Sequence, residues 1–228
     1  MNYQVLSDTH HKNTKIKPQM TFNHVEKLNN IVLLMQEFSR AACEMPIIFI
    51  KHPELGIFQT VAVTGLVLNE NLFVKDGVWQ GLYVPGSVGL YPFKIGKLPS
   101  SDNFGFFVDE DCDRINETDG DALFDAGGKE TRALAAYRIN ITKYHEDMRE
   151  TNAFIEALVD GELLTECAYS FDNDGLTAQI TGIYAVDEQK LKGLTNAAYL
   201  KLREKGYLPA IYAHLNSFNQ LDVLAKRR

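Results

Sequence analysis

The sequence predicts an α+β protein with a short-stranded, mainly antiparallel or mixed sheet, a long amphipathic helix and a helical C-terminal part. Three observations predict it. Between residues 47 and 108 short β-branched or aromatic runs alternate with Gly, Pro, Asn and Asp. From Thr131 onward apolar residues step by threes and fours over almost thirty positions. Beyond residue 190 the apolar spacing is again helical, with Gly206 as a break.

Residues 1–20 are polar, carry His10-His11 among several lysines, and read as an extended segment ahead of one domain over 21–228. Ile31, Leu34, Met35 and Phe38 recur at helical spacing and predict a helix from Val25 to Glu44, ended by Pro46. Strands are predicted at Ile47–Ile50, Phe58–Leu68, Asn71–Val74, Phe93–Lys97 and Phe104–Val108. Their short connections favour antiparallel or mixed pairing over a βαβ series. Asp109 to Asp125 reads as an acidic loop closed by Gly127-Gly128. Leu134, Tyr137, Ile141, Tyr144, Met148, Ile155, Leu158 and Val159 then mark a helix over Thr131–Val159, ended near Gly161, with a polar gap at Asn152. Asn173-Asp174-Gly175 predicts a hairpin turn between Ala168–Phe171 and Leu176–Tyr184. Leu191–Lys205 and Leu208–Leu224 close the chain as two helices. No internal repeat or low-complexity linker interrupts it.

The 228 residues suffice for one good core, and 45% apolar with 23% charged residues is an ordinary globular composition. A net charge of −7 argues against a nucleic-acid binder, and the only basic cluster, Lys226-Arg227-Arg228, reads as a solvated tail. No run nears the roughly 18 apolar residues of a membrane span. The N-terminus has no apolar signal region, so a cytoplasmic protein is expected. Cys43, Cys112 and Cys167, odd in number and far apart, suit a reducing compartment; Cys43 and Cys167 are expected to be buried and inert.

The densest special segment is residues 79–93, with four aromatics, three glycines and two prolines. Trp79, Tyr83, Tyr91 and Phe93 are the candidate ligand-binding residues, since ligand pockets combine apolar walls with few polar groups. The alternative is that they plug one end of the sheet as core. The acidic run starts like a calcium loop at Asp109, Asp111 and Asp113. Arg114 then stands where the turn glycine belongs and Gly120 where the bidentate glutamate belongs, so the pattern fails. His24, His52, His145 and His214 show no short-range ligand spacing, and no metal or cofactor is expected. Gly86-Ser87-Val88-Gly89 is not a nucleophile elbow, and neither a P-loop nor a dinucleotide fingerprint occurs. A standard hydrolase, kinase or dehydrogenase is thereby disfavoured. The triplet Val-Asp-Glu occurs at 108–110 and 186–188, so Asp109, Glu110, Asp187 and Glu188, with Tyr83 and His214, are the acid–base candidates if the protein is an enzyme. The same triplets also suit strand ends that cap the next element.

An ordered set of motifs resembles the bacterial SapC family: Met45-Pro46-Ile47-Ile48-Phe49, Glu70-Asn71-Leu72-Phe73-Val74, Trp79, Tyr83-Val84-Pro85 through Tyr91-Pro92-Phe93, and Leu123-Phe124-Asp125. Gly182-Ile183-Tyr184 with Val186-Asp187-Glu188, and Ala213-His214-Leu215, continue it, so the resemblance runs from about His24 to Leu224. Where the family often has basic residues before Tyr91-Pro92-Phe93 this chain has Gly89-Leu90, so no anion-binding role is carried over. The resemblance implies a link to bacterial surface-layer loci. A peptide-transport permease label also attaches to the family, but a chain without a membrane span does not support it. It implies no catalytic residues. The expected function is a cytoplasmic accessory protein that binds a protein or peptide partner and does no chemistry of its own. The alternatives are an enzyme of unrecognised type or a small-molecule binding module at residues 79–93. A sheet edge and the apolar side of the Thr131–Val159 helix offer surfaces for a homodimer.

Overall fold

The structure is a computed structural model describing residues 2–99, 102–173 and 175–228. The N-terminal segment contains strands β1 (Tyr3–Val5) and β2 (Lys15–Ile16). Strand β3 (Asn30–Val32) and helix α1 (Phe38–Ala41) then stand where the sequence predicts one helix over Val25–Glu44. The reason is local. Ile31 and Val32 are β-branched, and their neighbour Leu33 donates its N–H to Thr60 while the Thr60 hydroxyl donates to the Leu33 carbonyl. Helical spacing at 31, 34, 35 and 38 thus coincides with a strand, a 3₁₀ turn at Met35–Glu37 and one turn of α-helix.

Strands β4 (Ile47–Lys51) and β5 (Phe58–Val63) follow as expected, although β5 stops before Thr64. Strand β6 (Val74–Lys75) and β7 (Val78–Trp79) form a hairpin turned by Asp76 and Gly77, both at positive φ (53° and 75°). Asn71 is not in a strand: its side chain accepts the Phe73 N–H and donates to the Val25 carbonyl. A helical turn α2 (Gly86–Gly89) leads into β8 (Phe93–Lys97) and β9 (Phe104–Asp109). The acidic loop holds two short strands, β10 (Ile115–Asn116) and β11 (Asp121–Ala122). Helix α3 (Arg132–Asp160) starts at Thr131, whose hydroxyl accepts the Leu134 N–H, and ends where Glu162 turns left-handed (φ 52°).

Strands β12 (Leu164–Asn173) and β13 (Leu176–Val186) pair antiparallel as the expected hairpin, while Asp174 of the expected turn lies outside the described residues. Gly182, at φ 68°, absorbs the register shift between Cys167 and Tyr169. The two predicted C-terminal helices are four: α4 (Glu188–Lys192), α5 (Asn196–Glu204), α6 (Leu208–Ser217) and α7 (Asn219–Arg227). Gly206, at φ 71°, makes the expected break. Among the described residues no helix is long and apolar enough to cross a membrane.

The chain divides into two compact units, each built from two separate stretches. The first is Met1–Thr21 with Ser87–Glu146. It holds the antiparallel sheets β1-β9-β8 and β10-β2-β11, closed over a core of Ile16, Phe93, Phe106, Val108, Leu123, Leu134 and Ile141. The second is Phe22–Gly86 with Asp147–Arg228. Its five-stranded sheet runs β12-β13-β4-β5-β3, every pair antiparallel. Ile47, Ile48 and Phe49, and likewise Val61, Ala62 and Val63, are buried without alternation, so both faces of the central strands are covered. Phe154 of α3 is fully buried there and meets the rings of Phe38, Phe49 and Tyr207.

Candidate functional site

The four candidate ligand-binding aromatics fall in different units, Trp79 and Tyr83 in the second, Tyr91 and Phe93 in the first. Trp79 stacks on Phe73 at 5.6 Å and donates its indole N–H to the Tyr83 carbonyl at 2.9 Å. The Tyr83 hydroxyl donates to Glu37 at 2.6 Å. The Glu44 carboxylate accepts the Leu82 and Tyr83 N–H groups, and Glu37 accepts that of Gly86. Two glutamates of the second unit thus clamp this stretch of backbone. In the first unit the Tyr91 hydroxyl donates to Asp109 at 3.0 Å, and Phe93 stacks on Phe106 at 5.6 Å. All four rings are engaged in packing or hydrogen bonds.

The acid–base candidates are likewise occupied. Asp109 is fully buried at the end of β9, where it accepts the Asn2 N–H (2.7 Å) and the Tyr91 hydroxyl. Burial, reinforced by Cys112 and Asp109, holds the Tyr91 phenol far above its usual range, and burial also raises the Cys112 thiol, so neither is a ready nucleophile or base at neutral pH. Arg114 is buried, and among the described residues it pairs with no carboxylate. It donates to the carbonyls of Lys17 and Tyr91 and to the Tyr137 hydroxyl, tying β8, β10 and the start of α3 within the first unit.

Asp187 and Glu188 lie in the second unit, whereas Asp109 and Glu110 lie in the first. Asp187 is the N-cap of α4, accepting the N–H groups of Gln189 and Lys190, and Glu188 pairs with Lys192 on the surface. His214 is fully buried in the second unit: its Nε2 accepts the Val186 N–H at 3.0 Å and its Nδ1 donates to the Ile47 carbonyl at 2.8 Å. Burial lowers its pKa to about 4, so it is a neutral strut between α6, β13 and β4. Cys43 differs from expectation: it follows α1 and is exposed, while Cys112 is buried and Cys167 half-buried.

What the second unit does offer is a groove between α3 and the β4–β5 hairpin. Two cavities of about 420 Å³ each share Lys51, Ile57, Phe58, Asn152 and Ile155 as lining. Val32, Leu34 and Met148 extend the apolar floor at one end, and Val159 with Asp160 at the other. Thr151 fixes the helix beside this floor, accepting the Met35 N–H at 2.9 Å and donating to the Asp147 carbonyl. On the opposite wall His52 accepts the N–H groups of Glu54 and Leu55, folding a tight loop that leaves Leu55 66% and Ile57 60% exposed. Lys51 and His52 face this groove from the sheet, Glu156 and Asp160 from the helix. Apart from His52, weighed only as a metal ligand, none of these residues stood out as a site in the sequence, because groove-facing apolar residues on α3 follow the same period as core-facing ones.

Among the described residues, three side chains gather donor atoms suited to a metal: His10, His11 and Glu110 of the first unit. The adjacency of His10 and His11 was the only trace of this group in the sequence. Glu110 follows a strand about a hundred residues further along the chain.

The SapC family model matches residues 6–224, nearly the whole chain. No curated protein and no solved structure is similar enough to count as a match.

Proposed function

The chain belongs to the SapC family, and we propose that it is a cytoplasmic accessory protein that binds an extended peptide segment of a partner protein in the groove around Ile57, Phe58 and Ile155. The carrying observation is the groove itself: an apolar floor continuous across two cavities, with charges of both signs on its walls and exposed Leu55 and Ile57 beside it. Apolar floors with sparse polar groups suit anchoring side chains, while charged walls select register. The absence of chemistry of its own is supported by the structural engagement of Asp109, Asp187 and His214. The cytoplasmic location is supported by three free cysteines, one of them exposed. A link to surface-layer assembly, which the family implies, fits such an accessory role.

The test is a selection of short random peptides by display against the wild-type protein and against the double variant Ile57→Asp, Val159→Asp. Both positions are exposed, so the variant keeps its core. The expected result is a set of peptides with spaced apolar anchors whose affinity drops by roughly tenfold or more in the variant, the scale of losing a hot-spot contact. Peptides that bind both proteins equally, or none that bind at all, would overturn the proposal.

A further inference from the structure

We propose that His10, His11 and Glu110 bind one divalent first-row transition ion of the zinc class, an interaction beyond the peptide-binding role. The turn that presents the histidines is built by its own backbone. The His11 N–H donates to the Ser7 carbonyl (2.9 Å), the His10 N–H to the Ser7 hydroxyl (3.2 Å) and the Thr14 N–H to the His11 carbonyl (3.0 Å). Although consecutive, the two imidazoles meet edge to face with centroids 4.7 Å apart, and both Nε2 atoms lie near Glu110 Oε1. Glu110 follows β9, its N–H donating to the Asn2 carbonyl and its Oε2 accepting the Asn2 side-chain amide.

That leaves Glu110 Oε1 facing both rings, 2.9 Å from His10 Nε2 and 3.4 Å from His11 Nε2. Donor atoms held about 2.0–2.2 Å from a metal stand about 2.9 Å apart at right angles and about 3.4 Å apart at a tetrahedral angle. The observed separations match neighbouring ligands of one ion.

His11 separates this arrangement from an ordinary surface ion pair. Its residue is 2% exposed, yet its Nε2 is buried and, at 3.4 Å from Glu110 Oε1, has no hydrogen-bond partner among the described residues. Buried polar atoms are ordinarily satisfied, and an ion between the three groups satisfies this one. Ligation by Nε2 places the ring proton on Nδ1, so the long 3.3 Å contact from the Ser7 N–H to Nδ1 gives way on binding. Two imidazoles and a carboxylate favour zinc, cobalt or nickel over calcium and magnesium, which take oxygen ligands. Three protein ligands leave the remaining coordination positions to water. The ion would tie the N-terminal stretch of the first unit to the end of β9.

The experiment uses untagged full-length protein, stripped with a chelator and titrated with Zn²⁺ against a chromophoric competitor, with Co²⁺ absorption read in parallel. The expected result is one ion per chain, visible Co²⁺ bands of a nitrogen- and oxygen-ligated site, and affinity reduced by roughly tenfold or more in His10→Ala and in Glu110→Gln. These two side chains are partly exposed, so both variants should keep the wild-type circular dichroism spectrum; the buried His11→Ala is a third, supporting variant. No stoichiometric ion, or unchanged affinity in His10→Ala and Glu110→Gln, would overturn the proposal.

Discussion

Replacing His214 with glutamine should remove a defined part of the protein's acid sensitivity. In the native state this histidine is neutral, with a pKa of about 4 caused by its burial. In the unfolded chain it titrates near 6.5. The unfolded state therefore binds the extra proton between these values. The stabilisation from keeping the ring neutral is complete above about pH 6.5 and is lost as the pH falls toward 4, where the native ring also protonates. The pKa difference corresponds to about 3 kcal/mol. Glutamine does not titrate and reaches the ε position with an acceptor for the Val186 N–H, but leaves the Ile47 carbonyl unpaired. The variant should thus be less stable by about 1–3 kcal/mol near neutral pH, the cost of one unsatisfied buried group. Urea denaturation of both proteins from pH ~7 down to ~4 reads the difference directly. The gap should close or reverse across that window. His11, which burial also lowers, contributes to both proteins and cancels. Parallel loss of stability in wild type and variant would refute the assignment of His214 as a neutral strut.

Three further outcomes follow from the hydrogen bonds. Asp109→Ala removes the acceptor of the Asn2 N–H and of one Tyr91 hydroxyl bond and should destabilise the protein by about 1–3 kcal/mol, read as a lowered thermal midpoint. Asp187→Ala removes the N-cap of α4 and should cost about 1 kcal/mol in urea denaturation, with peptide affinity unchanged; loss of affinity at full stability would return Asp187 to the functional candidates. Tyr83→Phe deletes the bond to Glu37 and should cost about 1 kcal/mol while leaving the peptide selection as in wild type, a result opposite to that expected of a ligand-contacting tyrosine.

The α+β class and the long helix were legible because their signals are local. The stripe from Leu134 to Leu158 repeats over many turns, and both Gly161 and Gly206 sit where helices stop. The stretch around Ile31 misled because four apolar residues at helical spacing also satisfy a strand followed by a turn, and only the partner strand β5 decides between them. The β6–β7 hairpin had a signal, Asp76-Gly77, that a continuous strand reading over Asn71–Val74 obscured. The aromatic block was visible, but its roles were not: whether Tyr83 meets Glu37 or a ligand depends on a residue 46 positions away. The groove and the His10–His11–Glu110 group are products of tertiary pairing, which no window of sequence contains.

Both units are discontinuous in the chain, and this governs how the protein emerges from a ribosome. All residues of the first unit have been synthesised by Glu146, so it can close while the rest is still being translated. The second cannot. Its strand β4 waits for β13, which pairs Ile183 with Ile50 and Tyr184 with Phe49. At about 5–20 residues per second that wait lasts on the order of ten seconds. Throughout it, one side of the apolar run Ile47–Ile50 lacks its neighbouring strand, the kind of open edge that nascent-chain chaperones shield. The aggregation hazard of this protein thus lies in its biosynthesis, before the C-terminal hairpin arrives to cover what the N-terminal half has left open.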